Sequence, residues 1–103
     1  MKTVTLCGSM RFAEQMQRIA FDLEILNGYN VLQCIYDPRD VSLTDKMIHD
    51  LTQAHYAKID LCDAVYVVDI GGYIGESVRK EIEYARAHGK EIIYHSAAAK
   101  VRS

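Results

Sequence analysis

Glu81 stands in the stretch VVDIGGYIGESVRKEIEYA, Val67 to Ala85, where an apolar run passes through three glycines into a charged helical pattern. A carboxylate there could trap or stabilise a cationic centre, or it could simply complement the positive end of a helix dipole. Val78, Ile82 and Ala85 mark the buried stripe of that helix, and Glu81 lies one turn from both Ser77 and Ala85, at the stripe's border. Glu76, Glu83, Arg79 and Lys80 supply ordinary pairing along the same helix. A second titratable group, His55, shares its spacing with Ile48, Leu51, Ile59 and Cys62 and so falls where the pattern asks for an apolar side chain. It reads either as a packed core residue or as a group at a pocket wall that moves protons near neutral pH.

Two glycine-bearing loops could supply the rest of a site. In CGSMRF, Gly8 allows a tight turn, Ser9 offers a hydroxyl and free N–H groups at a helix start, and Arg11 brings a cationic fork. That combination suits a phosphate or a sugar hydroxyl, and equally an ordinary helix cap with a solvated arginine. GGYIGES has neither the order of a dinucleotide-binding fingerprint nor the G-K-[ST] of a P-loop. Gly71, Gly72 and Gly75 instead keep side chains out of the space above Asp69, which predicts an open concavity there.

The elements that must position these residues follow from periodicity. TVTLC (Thr3 to Cys7) reads as a strand, followed by a helix with Phe12, Met16, Ile19, Leu23 and Leu26 on its apolar side and a stop at Asn27-Gly28. NVLQCI (30–35) reads as a second strand, and YDPRDVS as a loop, with Ser42 as N-cap of a helix that carries Met47, Ile48, Leu51, Ile59 and Cys62 on one side. AVYVVD (64–69) is a third strand, a third helix runs from about Ser77 to His88, Gly89 caps it, and EIIYH (91–95) is a fourth strand. Residues 96–103 carry no clear pattern. Strands and helices that alternate through short connections predict one doubly wound α/β domain, a parallel sheet with helices on both faces. Such sheets bind ligands at the carboxyl ends of their strands, where the two glycine loops lie.

Bulk properties narrow the function further. The chain has 103 residues, half of them hydrophobic, and a formal charge of −2, so nothing supplies the positive field that a nucleic-acid polymer demands. No apolar run is long enough to span a bilayer and MKTVTLCGS lacks a signal core, from which a cytoplasmic location is expected. Cys7, Cys34 and Cys62 are odd in number and widely spaced, which argues against a disulfide framework and a zinc site; no metal or cofactor is expected.

Taken in order, CGSMR, IHDLTQAHYAKIDLCDAVYVVDI and GESVRKEIEYARAHGKEIIY resemble the nucleoside 2-deoxyribosyltransferase-like superfamily, which includes the 2′-deoxynucleoside 5′-monophosphate N-glycosidases. The resemblance runs from about Val4 to Tyr94 and is weakest over 30–44. It implies a flavodoxin-like fold, assembly as dimers or larger, a nucleoside or nucleotide substrate, and Glu81 as the nucleophile at the anomeric carbon. Ser9 and Arg11 match the residues that hold a sugar phosphate. His55 replaces an aspartate that assists the sugar or leaving base, and Gly75 replaces a phosphate-binding serine, with Ser77 nearby. A histidine at this position could protonate a departing base, or mark a member that binds nucleotides without cleaving them.

Overall fold

The computed structural model describes residues 1–36 and 42–102, with side chains described as far as Ala98. Its elements are β1 (Thr3–Gly8), α1 (Ala13–Asn27), β2 (Asn30–Leu32), α2 (Asp45–Asp60), β3 (Ala64–Val68), α3 (Glu76–Ala87), β4 (Glu91–Tyr94) and α4 (His95–Arg102). The strands form one parallel sheet in the order β2-β1-β3-β4, with Val4 opposite Ala64, Gly8 opposite Val68 and Val65 opposite Ile92. This is a three-layer α/β sandwich of the flavodoxin-like kind, and its strand order reverses between β1 and β3.

Period-two alternation builds the two cores. Val4 and Leu6 of β1 join Ala64 and Tyr66 of β3 beneath Met16, Ala20 and Leu23 of α1, with Ala98 of α4 against the same cluster. Cys7, Val65 and Val67 point the other way, onto Ile59 of α2 and Val78, Ile82 and Ala85 of α3. Both faces are therefore covered, which explains why β3 reads as an unbroken apolar run buried at all five positions.

Local signals set most boundaries. Gly28 takes a left-handed conformation (φ 67°) and its N–H donates to the Leu23 carbonyl, closing α1. α2 starts later than Ser42 would place it: Thr44 is the N-cap, and its side-chain oxygen accepts from the Met47 N–H at 3.2 Å. β2 covers 30–32 rather than 30–35. It is an edge strand that pairs with β1 only as far as Thr5–Leu32, and Cys34 and Tyr36 then pack back over the first core cluster. The loop expected over 36–42 falls, for residues 37–41, outside the described residues. Leu26 is 72% exposed, because the stripe that meets the sheet is Met16, Ala20 and Leu23, while Phe12 sits in a 3₁₀ turn ahead of α1. The fourth strand ends at Tyr94; His95, expected as its last residue, instead opens α4, which continues over residues the sequence leaves without a pattern. Cys7 and Cys62 are buried, Cys34 is half-buried, and all three are free thiols. No helix among the described residues is long and apolar enough to cross a membrane.

Gly8 and Gly75 are glycine for different reasons, which a paired substitution separates. A Cβ on Gly8 would lie 2.9 Å from Met16 Sδ and 3.2 Å from Val68 Cβ, too close for packed neighbours. Gly75 has an extended backbone, and a Cβ there would make only ordinary contact with Tyr73. Gly8→Ala should therefore cost about 1–3 kcal/mol. Gly75→Ser, which places a better N-cap on α3, should be neutral or stabilising by a few tenths of a kcal/mol in the same thermal melts.

Candidate functional site

The cleft that gathers the titratable groups opens at the carboxyl end of β1, between the α1 entry loop and the helices α2 and α3. It has a volume of about 380 Å³. Gly8 and Ser9 form its floor, His55, Thr52 and Lys58 reach it from α2, and Ser77 and Glu81 reach it from α3. Met10, Ile35, Leu43, Ile48 and Leu51 supply apolar walls. A wider groove of about 640 Å³ lies between α1 and residues 33–36, but it brings together no comparable cluster of acid, base and nucleophile.

α2 is held over the sheet by contacts that fix where its inner face points. Thr5 Oγ1 donates to the Lys58 carbonyl at 2.8 Å, which joins β1 to the helix from inside the core. The Tyr56 ring packs on Tyr84 of α3 with centroids 4.7 Å apart, and Tyr84 Oη donates to Asp60 Oδ1 at 2.6 Å. With these anchors in place the C-terminal half of α2 buries Ile59, whereas its N-terminal half overhangs the cleft. Met47, Ile48 and Leu51, read from the sequence as one apolar side with Ile59 and Cys62, are consequently exposed, while Ile59 and Cys62 are buried.

His55 belongs to both descriptions that periodicity left open. It is buried, 9% exposed, and still lines the cleft. Its Nε2 lies 3.3 Å from Glu81 Oε1 and 3.4 Å from Cys7 Sγ, while its Nδ1 is buried with no hydrogen-bond partner. Glu81 is 17% exposed at its side chain, with Val78, Ile82 and Ala85 of its own helix in the core beside it. A carboxylate so placed keeps one side toward the cleft and the other toward the imidazole. Burial, and after it the nearby Glu81 carboxylate, push the Cys7 thiol well above its ordinary pKa. The same two causes raise Tyr56.

The remaining expected site residues divide. Gly8, Ser9 and Ser77 line the cleft with Glu81 and His55, whereas Arg11, Asp69, Gly72 and Gly75 lie outside its lining. Ser9 caps the short turn that follows β1, its Oγ accepting from the Arg11 N–H. The Arg11 guanidinium stacks over the Tyr73 ring at 3.9 Å, exposed at the rim. Asp69 holds the first turn of α4 instead of a ligand. Its Oδ1 accepts from the Ser96 N–H at 2.8 Å and its Oδ2 from the Ser96 hydroxyl at 2.7 Å, at the end of the helix where the dipole favours a carboxylate. Gly71 and Gly72 take positive φ (66° and 80°), as the glycine loop requires, but that loop shapes the path into α3 rather than the cleft floor. Sequence reasoning passed over Cys7, Thr52 and Lys58. Alternation along β1 puts Cys7 on the same face as Thr5, and the spacing 52, 55, 58 puts the other two beside His55, so the signals were present.

His55→Asp sets a second carboxylate in a buried position against Glu81 and should cost roughly 2–4 kcal/mol in a thermal or urea melt. Asp69→Ala removes two acceptors from Ser96 and should cost about 1–3 kcal/mol, with Ser96→Ala adding little further loss in the double mutant. Cys7 stays protonated when folded and ionises when unfolded, so its stabilising contribution is complete below the unfolded thiol pKa and lost as pH rises past it. Above about pH 8.5, wild type should lose stability more steeply than Cys7→Ala, by up to about 1.4 kcal/mol per pH unit.

No family model matches the chain, and no curated protein matches it.

Proposed function

We propose that the chain acts on the N-glycosidic bond of a nucleoside or nucleoside monophosphate, with Glu81 as the group that meets the anomeric carbon. The observation that carries this reading is the placement of the Glu81 carboxylate on a cleft wall, backed by His55 at 3.3 Å, at the strand-order reversal of a parallel sheet. Loss of a base leaves an oxocarbenium-like centre, and a carboxylate partly withdrawn from water stabilises that charge or bonds to it. Water or a second base then completes hydrolysis or transfer. Apolar walls from Ile48, Leu51 and Leu43 suit the faces of a base, while Ser9, Thr52 and Ser77 offer hydroxyls to a sugar. His55 stands where it can pass a proton to the departing base.

Two features support a rival reading, a domain that binds nucleotides without cleaving them. His55 stands where the resembled family has an aspartate, and Gly75 lacks the hydroxyl of the phosphate-binding serine. Incubation with deoxynucleosides and their monophosphates, followed for free base, decides between the two. Base release by wild type that falls at least about a thousandfold in Glu81→Ala is the expected result. Tight binding with no release in either protein would replace the enzyme with the sensor.

A 5′-phosphate has two cations within reach. Arg11 stands at the rim beside the entry to α1, and Lys58 is the lysine that lines the cleft among the described residues. If Arg11 leaves Tyr73 to hold the phosphate, Arg11→Ala should weaken monophosphates over nucleosides by about 1.5–3 kcal/mol. Equal weakening of both ligands would remove Arg11 from phosphate binding, and the same comparison applied to Lys58→Ala would then assign it. A homodimer fits this reading, since a cleft open on one side gains a wall from a neighbouring subunit and α1 exposes Phe21, Ile25 and Leu26. Light scattering at micromolar concentration should give twice the chain mass.

A further inference from the structure

Cys7, His55 and Glu81 come from β1, α2 and α3, and their ligand-type atoms all lie within 4.8 Å of one another. Hydrogen bonding leaves one buried polar atom of this group, His55 Nδ1, without a partner. His55 Nε2 lies 3.3 Å from Glu81 Oε1 and 3.4 Å from Cys7 Sγ, and it has either one proton or one lone pair to offer. If Nε2 carries the proton and gives it to Glu81, the Cys7 thiol is left with the Thr5 carbonyl at 3.9 Å, a poor contact, and with a share of the same Glu81 carboxylate. If Nε2 accepts from the thiol, its lone pair and the carboxylate's face each other unless Glu81 is protonated. The 3.3 Å from Nε2 to Glu81 Oε1 also exceeds the roughly 2.7–2.9 Å of a charge-assisted N–H···O bond.

We propose that these three side chains form a binding site for a borderline-soft divalent cation, zinc foremost. The donor set is one thiolate, one neutral imidazole and one carboxylate, the kinds of ligand that zinc takes. Zinc bonds of about 2.0–2.3 Å in a tetrahedron place neighbouring donors roughly 3.3–3.7 Å apart. The two His55 distances already match those edges, and Glu81, the least buried of the three, can close the remaining one. Three protein ligands leave a fourth position, and His55 and Glu81 both line the cleft. Charge also balances: a thiolate and a carboxylate against a dication leave a neutral centre in a site where net charge would be costly. Binding replaces the Cys7 S–H bond with an S–metal bond and releases one proton to solvent, so affinity rises with pH. His55 Nδ1 has no acceptor, and the missing outer partner lowers affinity about 10–100-fold below that of a site with one.

The spacing of the cysteines hid this set, because Cys7 and His55 are 48 residues apart and each comes from a different element. The proposal does not depend on glycosidic chemistry. It shares Glu81 with it, so a bound cation would occupy the carboxylate and suppress base release.

The test is titration of the reduced, untagged, chelator-treated protein with Co²⁺, then competition with Zn²⁺. One equivalent should give a thiolate-to-cobalt charge-transfer band in the near ultraviolet with the visible bands of a tetrahedral ion, both abolished by zinc. Cys7→Ser should lose the charge-transfer band, Glu81→Gln should bind at least about tenfold more weakly, and Cys62→Ser should retain the wild-type spectrum. No band in the wild type, or a band that survives Cys7→Ser, overturns the proposal, as does undiminished affinity in Glu81→Gln. Should Cys7→Ser fail to fold, Glu81→Gln decides alone, since Glu81 is at the cleft edge. Base release in chelator is read separately: activity without cobalt binding removes only the metal site, and cobalt binding without activity removes only the glycosidic reading.

Discussion

The seating of α2 across the carboxyl end of β1 is the contact on which the rest of the structure depends. β1 is one of the two inner strands, its outgoing chain turns toward one layer while α2 crosses the other, and the gap between them is the cleft. A helix laid on apolar residues alone could slide along the sheet, because hydrophobic burial has no direction. Thr5 removes that freedom with a hydroxyl wholly inside the core, bonded to the carbonyl of Lys58. A buried hydroxyl left without its acceptor would be costly, so this one bond selects one register of helix on strand. His55 lies one turn before Lys58, and its place between Cys7 and Glu81 follows from that register.

The layers were legible in the sequence because they rest on periodicities that are local. Val4 and Leu6 against Thr5 and Cys7, and Val78, Ile82 and Ala85 along α3, need only the pitch of a strand or a helix to be sorted into faces. What escaped depends on where an element stops touching the sheet. Met47, Ile48 and Leu51 continue the apolar stripe of α2 beyond the sheet, and the last two wall a cleft instead of filling a core. Asp69 shows the same limit at a single residue. Its position at the end of β3 marks it for ligand binding, but the chain returns as α4 and presents Ser96 to it. Since the final residues show no apolar period of their own, nothing local announces that helix. Its start depends on a carboxylate 27 residues earlier.

Glu81 and His55 were each visible as a residue out of pattern, and neither could be weighed alone. An acidic side chain near the start of a helix has an ordinary explanation in the dipole, and a histidine on an apolar stripe has one in core packing. Their convergence changes the balance. Two titratable side chains from different helices meet at 3.3 Å, with a cysteine against the same ring nitrogen, at the edge of a cleft. Ordinary surface pairing does not require either partner to leave water, whereas here both are largely withdrawn from it. Burial is costly for such groups, and its return is an electrostatic environment fixed before any ligand arrives.

The histidine also sets the charge with which the cleft can work. Two carboxylates at this separation would resist ionising together, and one would hold a proton that the other lacked. Such a pair carries at most one easily formed negative charge. An imidazole beside Glu81 leaves the carboxylate free to be the negative partner and keeps the proton on a separate ring. If Glu81 approaches a positive sugar carbon, the departing base becomes basic at the same moment, so a donor adjacent to the carboxylate is placed for the second half of the charge separation. The same imidazole, once neutral, is an electron-pair donor toward a metal, which a carboxylic acid at this position would be only after losing its proton to solvent. On either proposal, a sugar carbon or a cation, Glu81 meets the positive centre with the ring of His55 beside it.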